Sequence, residues 1–161
     1  MHWHEEFQFI YVSSGSLTVH TLSDTLKLSE GEALYLGPEV IHCIEAPVDA
    51  HYYNFPSSAK VLRFYPGCPA NEDLSALFAE NFISFAPLSP VLPWARESLD
   101  LLKDLARFEK DKPPFYAWEV ILRLFRLLLS VRKHHNPQER PARDANAEKA
   151  KIILQFHRRP L

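Results

Sequence analysis

Cysteine is scarce in this chain and positive charge is not in excess, and each shortage removes a class of protein. Cys43 and Cys68 are the two cysteines of 161 residues, and they form neither a C-x-x-C pair nor any other zinc-type spacing. A disulfide-stapled scaffold and a structural zinc site are therefore not indicated, and a reducing cytoplasm is the expected compartment. Lys and Arg total 18 against 20 Asp and Glu, for a formal net charge of −2 and a pI near 6.4. Nucleic-acid binding needs a clustered positive surface that neutralises phosphates, so these residues alone are not expected to bind duplex DNA specifically. Long apolar runs are also missing. The best candidate, 118–131, is interrupted by Glu119, Arg123 and Arg126, and the N-terminus lacks a basic-then-apolar export signal. No membrane partner is expected. What remains is an ordinary globular composition, 47% apolar and 12% aromatic, sufficient for one well-buried core with room for an appended subdomain.

Histidines and aromatics concentrate at the start of the chain, where residues 2–15 (HWHEEFQFIYVSSG) read as a strand entering a tight turn. Strand alternation puts His2, His4, Glu6, Gln8 and Ile10 on one side and Trp3, Phe7, Phe9 and Tyr11 on the other. An aromatic row on one face, with polar groups grading into Ile10 and Val12 on the other, predicts a strand covered on both faces. Residues 16–22 and 25–28 alternate apolar and polar positions around a Ser23-Asp24 turn, with Leu17, Val19, Leu26 and Leu28 as core. Segments 40–45, 51–55 and 61–65 bring the expected strands to about seven, a pattern that suggests a sandwich or barrel. After Gly67 the period changes to that of helices, over 71–82, 93–110 and 115–135. The fold class expected is mainly β with a helical tail (α+β): a β-barrel over 1–66 and a helical subdomain over 67–135. Residues 136–147 read as a linker, and 148–161 as the opening of a further helix that Asn146 would cap.

Two stretches at the start resemble the two motifs of the cupin superfamily, a small antiparallel jelly-roll barrel. His2, His4, Gln8 and Gly15 fall at the spacings of the first motif, with Gln8 in place of a Glu. Gly31 and His42 fit the second, while Gly37 stands where a Pro is usual and Glu39 where a Gly is usual. The wording of residues 2–47, followed by FISFAPLSP, FYAWEVILRLFRLLLSVRKHHN and AEKAKIILQF, is similar to the sensor domain of AraC-type transcriptional regulators over nearly the whole chain. That resemblance implies a domain that binds a small polar effector in its barrel, forms a homodimer, and touches DNA only through a C-terminal domain of two helix-turn-helix units lying beyond these residues. It also implies that the usual start of the barrel, a strand and arm upstream of His2, is missing here.

Several residues are candidates for the site. His2, His4, Gln8 and His42 occupy the positions that ligate a divalent transition metal in enzymatic cupins; three imidazoles and an oxygen donor would suit iron, manganese, nickel, copper or zinc. A metal-dependent dioxygenase or isomerase is accordingly the competing reading. A neutral amide compensates metal charge less well than a carboxylate, and the same side chains serve equally as the wall of a polar pocket, so no cofactor and no catalytic residue is expected. Tyr35, Tyr53 and Arg63, on strands expected to line the barrel, complete the pocket candidates. For self-association the helix over 115–135 stands out, because its apolar positions wrap more than one stripe. With Trp118, Ile121, Leu122, Phe125 and Leu129 turned to the barrel or the preceding helix, Leu124, Leu127, Leu128 and Val131 are the residues expected to meet a second subunit.

Overall fold

The computed structural model describes residues 3–78 and 83–135. His2, the expected linker 136–147 and the expected helix opening at 148–161 lie outside the described residues. Among the described residues seven strands and three α-helices follow in order: β1 (Phe7–Ser14), β2 (Ser16–Thr21), β3 (Thr25–Ser29), β4 (Ala33–Leu36), β5 (His42–Glu45), β6 (His51–Ser57), α1 (Ala70–Leu77), β7 (Phe85–Leu88), α2 (Ala95–Asp111) and α3 (Tyr116–His134). A four-stranded sheet runs in the order β6-β1-β4-β7 and a three-stranded sheet in the order β3-β2-β5, with every neighbouring pair antiparallel.

Strand β1 organises both layers through its two faces. Phe7, Phe9 and Tyr11 join Tyr35 of β4, Ala86 and Leu88 of β7, and the apolar stripes of α2 and α3 in one cluster. Ile10 and Val12 turn the other way and meet Leu17, Val19 and Leu28 of the second sheet, together with Leu34 and Leu36. The alternation of the sequence is thus realised, and burial on both faces holds β1 centrally. Each such side chain, fully buried, contributes roughly 1.5–3 kcal/mol. The turn after β1, which carries the chain from the larger sheet to the smaller, needs Gly15: its φ is +77°, and a Cβ there would sit 3.2 Å from the Ala50 Cα, a backbone neighbour that cannot swing aside.

Several sequence expectations change. The strand begins at Phe7, not at His2, so His4 lies on the approach to β1 and its direction is not set by strand parity. Residues 61–65 form no strand; a short 3-10 helix, Ala59–Leu62, stands there, its first turn tied by the Ser58 hydroxyl accepting from the Lys60 N–H. The seventh strand is β7, which pairs with β4 and adds the outer strand of the larger sheet. Four residues are too few to show a period, and Pro87 argues against a central strand. Pro87 is tolerated because β7 is an edge, as is Pro56 on β6 at the opposite edge. A boundary at residue 66 therefore cuts through a sheet and through a core that strands and helices share.

Helix α3 departs from expectation as well. Leu124, Leu127, Leu128 and Val131 are buried within the subunit, against the sheet and α2. Trp118, Leu122 and Leu129 point outward, at 70%, 55% and 50% exposure. Leu124, Leu127, Leu128 and Val131 thus face inward where a second subunit was expected, and Trp118, Leu122 and Leu129 face outward, while Ile121 and Phe125 are half-buried against the core as expected; helical period identifies stripes without saying which one meets the core. Inside the α2–α3 contact the Ser98 hydroxyl donates to the Ser130 hydroxyl at 3.0 Å, and Arg123 bridges to Asp104 at 3.6 Å while covering the Phe108 ring.

Tyr35 sits in the first core, its ring centroid 5.1 Å from that of Phe9, and burial pushes its phenol far above the usual value of 10 by penalising the phenolate. The folded pKa exceeds the unfolded one, so this stability is complete below pH 10 and is lost as pH rises beyond it. Denaturant titrations above pH 10 will show a shallower loss of stability in Tyr35→Phe than in the parent. Equal slopes in the two proteins would show that the Tyr35 phenol does not govern the alkaline limit.

Candidate functional site

The polar cluster lies where the two sheets meet at the start of β1. Gln8 is the first inward residue of β1, and His42 opens β5 in the other sheet; both are fully buried. The His42 Nδ1 lies 2.8 Å from the Val40 carbonyl, which can only accept, so Nδ1 carries the proton. Nε2 then holds a lone pair, and the Gln8 amide N–H donates to it at 2.8 Å. This leaves Gln8 Oε1 buried with no hydrogen-bond partner among the described residues. An unsatisfied buried acceptor costs about 1–3 kcal/mol, and a ligand hydroxyl or amide N–H would remove that cost.

His4 closes the cluster from the solvent side. Its ring stands edge-on to that of His42, with centroids 5.4 Å apart, and its Nδ1 lies 2.9 Å from the Glu6 carbonyl and 3.4 Å from the Glu6 carboxylate. The approach is fixed by the β4–β5 turn, where the Glu39 N–H donates to the His4 carbonyl at 2.8 Å. Glu39 has φ +61°, a left-handed conformation that favours glycine. The turn therefore takes a glycine-type backbone conformation with a glutamate in it.

Of the residues singled out in the sequence, His4, Gln8 and His42 are brought together, and His2 lies outside the described residues. Tyr35 belongs to the helix-side core, because it alternates with Leu34 and Leu36, which face the second sheet. Tyr53 pairs with Tyr11 on β1 and shares that outer face. Arg63 is exposed beyond the 3-10 helix, where no strand directs it inward. The His42 lone pair that a metal would take is engaged by Gln8, and among the described residues, which leave out His2, no three His, Cys, Asp or Glu side chains are placed to share an ion.

A second concavity, of about 490 Å³, opens at the far end of β1, lined by Ser13, His51, Tyr53 and Lys110 among others. A smaller one of about 240 Å³ adjoins it, shares Ser13, Tyr53 and Lys110, and extends along α2 past Lys103 and Arg107. The sequence carried a signal for it, since positions 103, 107 and 110 share one helical face.

Two facing sheets with helices on one outer face and a buried, incompletely satisfied polar pair between the sheets define a β-rich domain suited to holding a small molecule. The family described as the AraC-like ligand binding domain matches residues 1–102, and the chain belongs to it. An uncharacterized HTH-type transcriptional regulator of Bacillus subtilis (strain 168), YdeC, is 21% identical over 132 residues, a match that spans 77% of this chain and 43% of the regulator. The crystal structure of the AraC-like transcriptional activator CuxR shares the fold, with a TM-score of 0.57 at 11% identity over 96% of this chain and 51% of the activator. The chain thus spans about half the length of the relatives it matches. No helix among the described residues is long and apolar enough to cross a membrane.

Proposed function

We propose that this chain is the effector-sensing and dimerisation part of a cytoplasmic AraC-family transcriptional regulator, acting on DNA through a C-terminal helix-turn-helix domain. The two sheets are read as a cupin-type jelly roll. The observation that carries the reading is the buried Gln8 Oε1, an acceptor held without a partner at the polar end of the inter-sheet space, which suits a small polar effector bearing a hydroxyl or amide donor. The family match and the HTH-type relative support the regulatory role. The metal-dependent cupin enzyme is the weaker reading, since the His42 Nε2 accepts from Gln8, and no cofactor enters the proposal.

The partner in the dimer is proposed to be a second copy seated on the outward stripe of α3. Trp118, Leu122 and Leu129, with the half-buried Phe125 between the last two, follow one another at steps of four, three and four residues, the seam spacing of paired helices. Phe64, whose ring centroid lies 5.2 Å from that of Phe125, widens this apolar strip.

Sensing is tested by thermal shift with a panel of uncharged sugars, polyols and amides on the parent and on Gln8→Met, which keeps the volume and removes the acceptor. A compound that stabilises the parent is expected to bind at least about tenfold more weakly to the variant, one hydrogen bond's worth of roughly 1.4 kcal/mol. Equal stabilisation of both proteins by every active compound would overturn the site.

A further inference from the structure

The cleft between the end of β1, β6 and α2 has the makings of a second binding site, separate from the inter-sheet cluster. Strand β1 carries a bulge there: Val12 pairs with Tyr52 and Ser14 with His51, so Ser13 is the extra residue. Bulges re-aim side chains and cluster at sites. Here the Ser13 hydroxyl donates to the His51 carbonyl at 3.0 Å and lines both concavities, as do Tyr53 and Lys110.

The cations across the cleft differ in their engagement. Lys103 lies 3.4 Å from Asp100 and Arg107 3.5 Å from Asp104, each a neighbour on its own helix. Lys110 has no ion pair among the described residues, and it is the residue of α2 common to both concavities apart from the strand groups. Asp104 is already shared with Arg123, which reduces its hold on Arg107. The cleft therefore offers one unengaged ammonium, one partly released guanidinium, one hydroxyl donor from Tyr53, and the Tyr53 ring as a flat apolar wall, with the Ser13 O–H already committed to the His51 carbonyl.

We propose that this cleft binds a small organic anion, with its carboxylate or phosphate on Lys110 and Arg107 and its apolar part against Tyr53. The site lies outside the inter-sheet space and does not depend on the sensing reading. An anion there touches β1, β6 and α2 at once, and so ties the edge of the larger sheet to the helix that packs on α3.

Amide NMR titration of the intact chain with benzoate, and separately with inorganic phosphate, tests the proposal. Saturable shifts at Ser13, His51 and residues 107–110 are expected. Lys110→Gln, an exposed position whose replacement leaves the core untouched, is expected to weaken binding at least about tenfold with an unchanged melting temperature, whereas Lys60→Gln on the remote 3-10 helix is expected to have no effect. Saturation by benzoate alone assigns a carboxylate carried on a ring, and saturation by phosphate assigns a phosphate group; either supports the site. Shifts that fail to saturate, spread over every lysine-bearing surface, or persist unchanged in Lys110→Gln overturn it.

Discussion

Aspartate at both Leu124 and Leu128 will unfold the chain, not release a folded monomer. The two leucines are each 4% exposed and face the cluster formed by the larger sheet and α2. Truncating one such leucine costs about 2–5 kcal/mol from lost burial and the cavity left behind, and a carboxylate in its place adds the penalty of an unpaired buried charge. Two substitutions together consume most of the roughly 5–15 kcal/mol that holds a domain of this size. Circular dichroism is expected to show loss of a cooperative melt, and gel filtration an expanded or aggregated chain. A well-folded double variant with the parental melting temperature would mean that α3 does not pack as described.

The opposite result is expected on the other side of the same helix. Glutamate at Leu122 and Leu129 should leave the fold and its melting temperature nearly unchanged, because both side chains are already half in water. Association is where the loss should fall. If a second copy covers what each leucine leaves exposed, the burial gained is about 1 kcal/mol per leucine, half the value for complete burial. Two leucines on each of two subunits sum to about 4 kcal/mol, a weakening of roughly a thousandfold in the dissociation constant before any charge repulsion is added. Sedimentation equilibrium on parent and variant measures this directly. A parent that is monomeric at high micromolar concentration, or a variant that associates equally well, removes the proposed interface.

The contrast between these two experiments also marks what the sequence made legible. Alternation in residues 7–12 identified two covered faces because a strand's period is short and unambiguous, and the helices over 93–110 and 115–135 were found within a few residues of α2 and α3 for the same reason. Orientation was the harder question. Leu124 and Leu122 are equally apolar, and only the three-dimensional placement of α2 decides which of them is dry. Spacing brings His4, His42 and Gln8 to one place, with His2 outside the described residues, yet it also draws Tyr35 and Arg63 to the same pocket because their strands have no secure parity: β4 turns Tyr35 to the helices, and the strand expected to carry Arg63 does not form. Strand β7 was invisible as a strand because it is four residues long, includes a proline, and gains its identity from pairing with β4.

The hydrogen bond between Gln8 and His42 joins residues of different sheets, one sheet carrying the helices and the other not. Away from this end the layers meet through apolar side chains such as Ile10, Val12, Leu17 and Val19, contacts that tolerate small sliding because they have no direction. The Gln8–His42 bond has direction, and it acts as a latch on that sliding. Were a guest to draw the Gln8 amide away from His42, undirected apolar contacts alone would hold the bare sheet to the helix-bearing one near this end.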